Sequence, residues 1–279
     1  KDGKNPGYPT WEELEKEEQE TAWKVFFEVK TAAGEPICRL EGANQEGLHR
    51  VAWNLRYPSM QPPNPNAKKD DPYKNQTTGH LALPGDYVVS MFIDRHGEVE
   101  QVGEPRSFKV KQLGQTTLPA EDQNALLAFR KDAAKLYAAV SAIQKIKEDQ
   151  VQQIGNMKRI AFDTPEIPKS VMETLLGLEK DHLELTRTLS GDTTVAKHNE
   201  ATLPGLVSRV SFMSYASSGS LSAPTQTQLE TFNLIKGQYN DVVTKLKAIQ
   251  NSIEELNKVL ESKGAPWTPG RIPDWPVVP

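Results

Sequence analysis

Residues 232–260 read FNLIKGQYNDVVTKLKAIQNSIEELNKVL, and the fold of the second half of the chain turns on this stretch. Phe232, Ile235, Tyr239, Val242, Leu246, Ile249, Ile253, Leu256 and Leu260 step 3, 4, 3, 4 with no charged residue among the nine positions. On a helix of 3.6 residues per turn that spacing puts all nine on one face. A seam of this length needs partner helices to cover it. They are available upstream, which favours packing within the chain over a coiled coil between chains.

Phe129, Ala133, Leu136, Val140 and Ile143 step 4, 3, 4, 3 after Pro119, a good first helical residue, and the stripe can run on toward Ile154, Met157 and Phe162. Pro165 and Pro168 end it. Val171, Leu175, Leu178, Leu185 and Leu189 mark another helix that stops at Ser190-Gly191. A polar link, Asp192 to Glu200, leads to a shorter segment with Leu203, Leu206, Val207, Val210, Phe212 and Met213. The Ser/Gly-rich stretch Ser217 to Ser222 separates this from the last helix. Three long helices and one short one predict an antiparallel, four-helix-type bundle over 114–263.

Upstream of Thr116 the pattern changes to period two. Val25, Phe27 and Val29 alternate with more polar neighbours, Ala33-Gly34 reads as a turn, and Pro36 to Leu40 as a second strand. His49 to Leu55 alternates again, with Val51, Trp53 and Leu55 on one side. The Pro84-Gly85 turn feeds Tyr87 to Ile93, and Arg106 to Lys111 closes the set. Six or seven short strands predict an Ig/FnIII-like β-sandwich over 22–113, with Trp53 in its core. The fold class expected is therefore multidomain, all-β followed by all-α.

Three segments frame these domains. Residues 1–21 are a lead-in with a short acidic helix, for which Thr10 and Glu13 have capping-box spacing. Its carboxylates read as a solvated face rather than a cation site. Residues 58–79 hold five prolines and read as a long, ordered packing loop, with Asp70-Asp71 as a weak calcium motif and Asn75-Gln76-Thr77 as a glycosylation sequon. Residues 264–279 form an extended Pro/Trp-rich tail. Trp267, Arg271 and Trp275 are its candidate docking residues, the two indoles as apolar anchors and the guanidinium as a charged donor to an acidic partner such as the lead-in helix. The tail is expected to lie ordered as a strap between the two domains.

Composition sets the function classes. The 279 residues carry a net charge of −4, giving no general attraction to nucleic acid or an anionic surface. No run approaches 18 apolar residues, so no membrane-spanning helix is expected. Lone Cys38 excludes an internal disulfide, and His49, His80, His96, His182 and His198 make no helical zinc pair. His182 falls on the seam phase between Leu178 and Leu185 and reads as a histidine at a bundle end. There is no Walker loop, no G-x-G-x-x-G and no nucleophile elbow. No catalytic residue, cofactor or metal is expected. The polar start at Lys1, without Met, reads as a processed or excised piece.

Several strings carry a resemblance. Tyr8-Pro9-Thr10-Trp11, then residues 47–58 (GLHRVAWNLRYP), Leu83-Pro84-Gly85-Asp86-Tyr87-Val88-Val89, Ala223-Pro224-Thr225-Gln226-Thr227-Gln228 and Gly270-Arg271-Ile272-Pro273-Asp274-Trp275 occur in that order. Together they resemble the C-terminal region of large bacterial sortilin-like, Asp-box-repeat β-propeller proteins, often labelled glycosyl hydrolases. The strings in 47–58 and 83–89 are also similar to the Ig-like domain of flagellar hook-capping proteins. The resemblance implies an exported bacterial protein (periplasmic, cell-surface or secreted) whose propeller lies N-terminal to this region. This chain holds no Asp-box, so no propeller residue role transfers to it. The expected function is a non-catalytic accessory module that supports the propeller or docks another envelope protein. The alternative is a carbohydrate-binding or glycosyl hydrolase-associated module with exposed Trp as the glycan site.

Overall fold

A computed structural model describes residues 8–20, 22–60, 78–114 and 118–269. These divide into two compact units, one made by the described residues up to 59 and by 78–114, the other by Met60 and residues 118–269.

The first unit is a four-stranded antiparallel sheet preceded by a short helix, α1 (Trp11–Gln19). The Thr10–Glu13 capping box is present: Glu13 N–H donates to Thr10 Oγ1 at 3.3 Å and Thr10 N–H to Glu13 Oε2 at 2.8 Å. Strands β1 (Lys24–Thr31), β2 (Pro36–Gly42), β3 (Gly85–Arg95) and β4 (Glu98–Val110) lie in the order β2-β1-β3-β4. The β3–β4 hairpin turns on His96 (φ 55°) and Gly97 (φ 95°). Two consecutive left-handed residues give the turn a twist that suits right-twisted strands.

Alternation divides the sheet into two faces. Val25, Phe27 and Val29 of β1 register with Ile93, Met91 and Val89 of β3, and with Gly42, Leu40 and Cys38 of β2. That face is apolar. The other carries Phe26 stacked on Phe92 at 5.2 Å, Arg39 over the Phe26 ring at 4.9 Å, and Glu28 paired with Lys30 at 2.7 Å.

Two strand expectations change. Residues 49–55 form no strand; only Arg56 bridges to Leu81. Leu55 adopts φ 60°, which ends an extended run, and the Trp53 indole N–H donates to Arg56 O at 3.0 Å across the resulting turn. The alternation still governs burial, with Val51, Trp53 and Leu55 half-buried and Ala52 and Asn54 exposed. Conversely, β4 begins eight residues before Arg106, because pairing with β3 rather than burial holds it. Its register jumps where Met91 pairs with Val102 and Val89 with Arg106, leaving Gly103, Glu104 and Pro105 bulged opposite Ser90.

The second unit is helical: α2 (Gln123–Asp163), α3 (Lys169–Ser190), the short α4 (Thr193–Lys197), α5 (Leu206–Ser218) and α6 (Gln226–Ser262). α2 and α6 both pack against α3 and α5 and against each other. The seam read from α6 faces the core, with Ile235, Val242, Leu246, Ile249, Ile253, Leu256 and Leu260 buried and Phe232 and Tyr239 at its margin. α2 starts at Gln123 rather than at Pro119, since the Asp122 carboxylate caps it by accepting from Asn124 N–H at 2.8 Å and Ala125 N–H at 3.0 Å. Its buried stripe ends in Met157 and Ala161, and Phe162 stands 84% exposed, one residue off the face. His182 sits in the body of α3, not at an end, and is 4% exposed.

Gly205 marks the tightest approach in this unit. A Cβ there would lie 2.4 Å from Leu189 O and 2.6 Å from Gly191 N, so only glycine lets the entry to α5 pass the end of α3. Arg130 of α2, fully buried, donates its Nε–H to Ser217 O at 3.0 Å and an Nη2–H to Ser220 O. A cation on the carbonyls that close α5 satisfies groups the helix itself cannot.

Candidate functional site

The apolar face of the sheet is not closed by a second layer of strands among the described residues. It instead borders a cavity of about 830 Å³. Its floor is Val25, Phe27 and Val29 of β1 with Val89, Met91 and Ile93 of β3. Leu40 and Phe108 extend the floor to the outer strands. Because a cavity faces them, Phe27, Val89, Met91 and Ile93 stay half-buried where a core would cover them.

The far wall is the irregular segment from Ala43 to Trp53. Asn44 Nδ2 ties it to Trp23 O at 3.1 Å, and the His49 ring nitrogen Nε2 lies 2.8 Å from Gln45 O. Trp53 closes one end, edge-on to Tyr87 at 5.3 Å and to Phe108 at 6.1 Å. Tyr87 is itself fixed by its hydroxyl donating to Leu83 O, and burial pushes its phenol up to about 12. The Pro84-Gly85 turn read from the sequence thus also positions the ring on which Trp53 rests. Cys38 lies buried in β2, and desolvation raises its thiol to about 11, which makes it inert rather than nucleophilic.

Among the described residues, Arg50 is the one Lys or Arg lining the cavity, with His49 beside it, and no carboxylate lines it. Arg106 shares this face, two residues from Phe108 on β4 and in register with Val89. The arrangement offers apolar contact and a cationic rim. It offers no acid–base pair.

The residues expected to dock the tail are only partly in view. Trp267 is 44% exposed; Arg271 and Trp275 lie outside the described residues, as do Asp70-Asp71 and the Asn75 sequon. The start of the tail does pack. Ala265 and Thr268 are buried, Ala265 N–H donates to Leu260 O at 3.0 Å, and Thr268 Oγ1 donates to Asn257 Oδ1 at 2.9 Å. Trp11 is exposed on α1, while Trp23 and Trp53 both line the cavity.

Sequence reasoning passed over two features. The cavity was missed because a half-buried strand and a core strand share the same alternation. Arg130, Lys147 and Gln150 occupy buried positions of α2. Gln150 Nε2 donates to Leu246 O at 3.0 Å. Their seam phase was the available signal, since each follows the step of Ala133, Val140 and Ile143. Among the described residues no three His, Cys, Asp or Glu side chains gather as a metal site, and no helix is long and apolar enough to cross a membrane. No protein-family model, curated protein or solved structure matches this chain.

Proposed function

We propose that this chain is a non-catalytic accessory module that mediates protein–protein assembly in an exported bacterial protein of the sortilin-like, Asp-box propeller kind. In this reading the sheet unit is an Ig-like sandwich-type domain and the helical unit a four-helix-type bundle. The partner is the N-terminal propeller or another envelope protein. The observation that carries it is the outward face of α5, where Phe212 and Tyr215, three residues apart, are 74% and 82% exposed. Two adjacent large rings left in water on a short helix mark an interaction surface. The Tyr87 hydroxyl bonded four residues upstream, with Trp53 against its ring, supports the Ig-like reading because sandwiches of that type use a tyrosine corner and a core Trp.

The glycan alternative has Trp23 and Trp53 in its favour. The sheet floor beside them is aliphatic, so sugar hydroxyls would find polar partners only on the facing segment, at Asn44, Gln45, His49 and Arg50.

The test is capture. The full chain, used as bait, should retain the remainder of its parent protein or a defined envelope protein. The double variant Phe212→Ser, Tyr215→Ser should lose that partner with unchanged helical circular dichroism. Equal retention by both chains removes the proposal, and saturable binding on a glycan array moves the assignment to the alternative.

A further inference from the structure

Beyond that reading, and on the other unit, we infer that the cavity on the sheet is a binding site for a single unbranched alkyl chain bearing an anionic head group. Volume comes first. About 830 Å³ falls within the range of small-molecule sites, roughly 300–1,000 Å³, and is far larger than the gaps left by ordinary packing. The lining then selects the chemistry. Val25, Val29, Leu40, Val89, Met91 and Ile93 present only carbon and thioether surface.

A peptide segment lying on this floor would bury backbone N–H and C=O groups against carbon, with polar partners only on the facing segment at Asn44, Gln45, His49 and Arg50. A sugar would bury hydroxyls in the same way. An alkyl chain brings no polar group and gains from every methylene it removes from water. The flexible Met91 side chain suits a ligand of variable shape.

The rim selects the head group. Arg50 is exposed, pairs with no acidic group among the described residues, and is the one Lys or Arg on the lining, next to His49. Arg106 adds a second cation on the same face, while Glu46, next to Gln45, stays off the lining. Leu48 is fully exposed beside Arg50, an apolar residue at the entrance to an apolar space. A carboxylate or phosphate held at Arg50 would leave its chain directed over β1 and β3.

The experiment is calorimetric titration of the full chain with octanoate, decanoate and dodecanoate below their micellar concentrations. Parallel arms use dodecyl-lysophosphatidylglycerol and dodecyltrimethylammonium. One-to-one binding should tighten by roughly fourfold per added methylene until the cavity is full. The cationic detergent should bind about tenfold more weakly or not at all. The free acids and the lysolipid present the same chemistry, and whichever binds more tightly identifies the source.

Arg50→Glu lies in an exposed loop, should leave the fold intact, and should weaken dodecanoate about tenfold while flattening its salt dependence. Met91→Trp should obstruct the middle of the floor and weaken the longer chains more than octanoate. Absence of saturable binding in the unaltered chain, or affinity untouched by Arg50→Glu, overturns the inference. Phe212→Ser, Tyr215→Ser should bind dodecanoate normally, so this result and the capture result stand or fall separately.

Discussion

His182 has both ring nitrogens buried without a hydrogen-bond partner, between Leu178 and Leu185 on α3. Burial lowers its pKa, and the nearby Lys147 ammonium on α2 lowers it further, while Asp181 opposes weakly. The imidazole is therefore neutral in the folded chain. The unfolded chain, with an ordinary histidine near 6.5, binds more protons in the window just below that value. Stability then rises with pH across this window and is lost as pH falls from about 6.5 toward the depressed folded value. Chemical denaturation of the wild type should show that loss between neutral and mildly acidic pH. His182→Leu should remove most of it, and an unchanged pH slope in the variant would assign the loss to other groups.

At the scale of the element, α6 was legible because a nine-position seam leaves few alternatives for what is buried. Ile253→Ala, at a fully buried seam position, should cost about 2–5 kcal/mol in equilibrium unfolding. Phe162→Ala, read from the sequence as part of the α2 stripe but exposed, should cost less than about 0.5 kcal/mol. Equal costs would place Phe162 in the core after all. The sheet was less legible. Residues 49–55 have strand alternation but end on a left-handed Leu55, and a local turn closed by a Trp53 hydrogen bond leaves no trace in hydrophobic period. β4 shows the reverse, a strand of mostly exposed residues held by register alone, which a hydrophobicity reading cannot find. The cavity shares this blindness, since Val25, Phe27 and Val29 alternate identically whether they face a core or an empty space. The start of α2 was shifted by a polar residue, Asp122, whose cap outweighs the preference of Pro119 for a first turn.

Across the whole molecule, two compact units imply two separable unfolding events, and the described start of the tail, residues 264–269, belongs to the second. The Thr268 hydroxyl reaches a buried Asn257 in the last turns of α6, and Ala265 covers Leu260. Thr268→Val keeps the shape and deletes the donor, leaving the Asn257 carbonyl buried and unpaired. Thermal unfolding followed at the helical signal should shift down, corresponding to about 1–3 kcal/mol, with the sheet signal unmoved. Removal of everything from Gly264 onward should exceed that loss because it also uncovers Leu260. If truncation leaves the helical transition where it was, the first residues of the tail contribute nothing to the fold.

The bulge on β4 has a consequence for life in a crowded solution. β4 ends the sheet, so its outer row of peptide groups is a template onto which a neighbouring molecule could add a strand. Gly103, held at φ 72°, kinks that row in the middle, Pro105 removes one donor from it, and Glu104 between them puts a charge on the bulge. A second copy approaching edge to edge therefore meets a broken ladder. Replacing Glu104 and Pro105 together by Val should straighten and neutralise the template, and light scattering at high protein concentration should then grow with time where the parent chain stays clear. Its kinked border makes the exposed strand a guard against fibre growth, built from the bulged residues Gly103, Glu104 and Pro105 that interrupt its pairing.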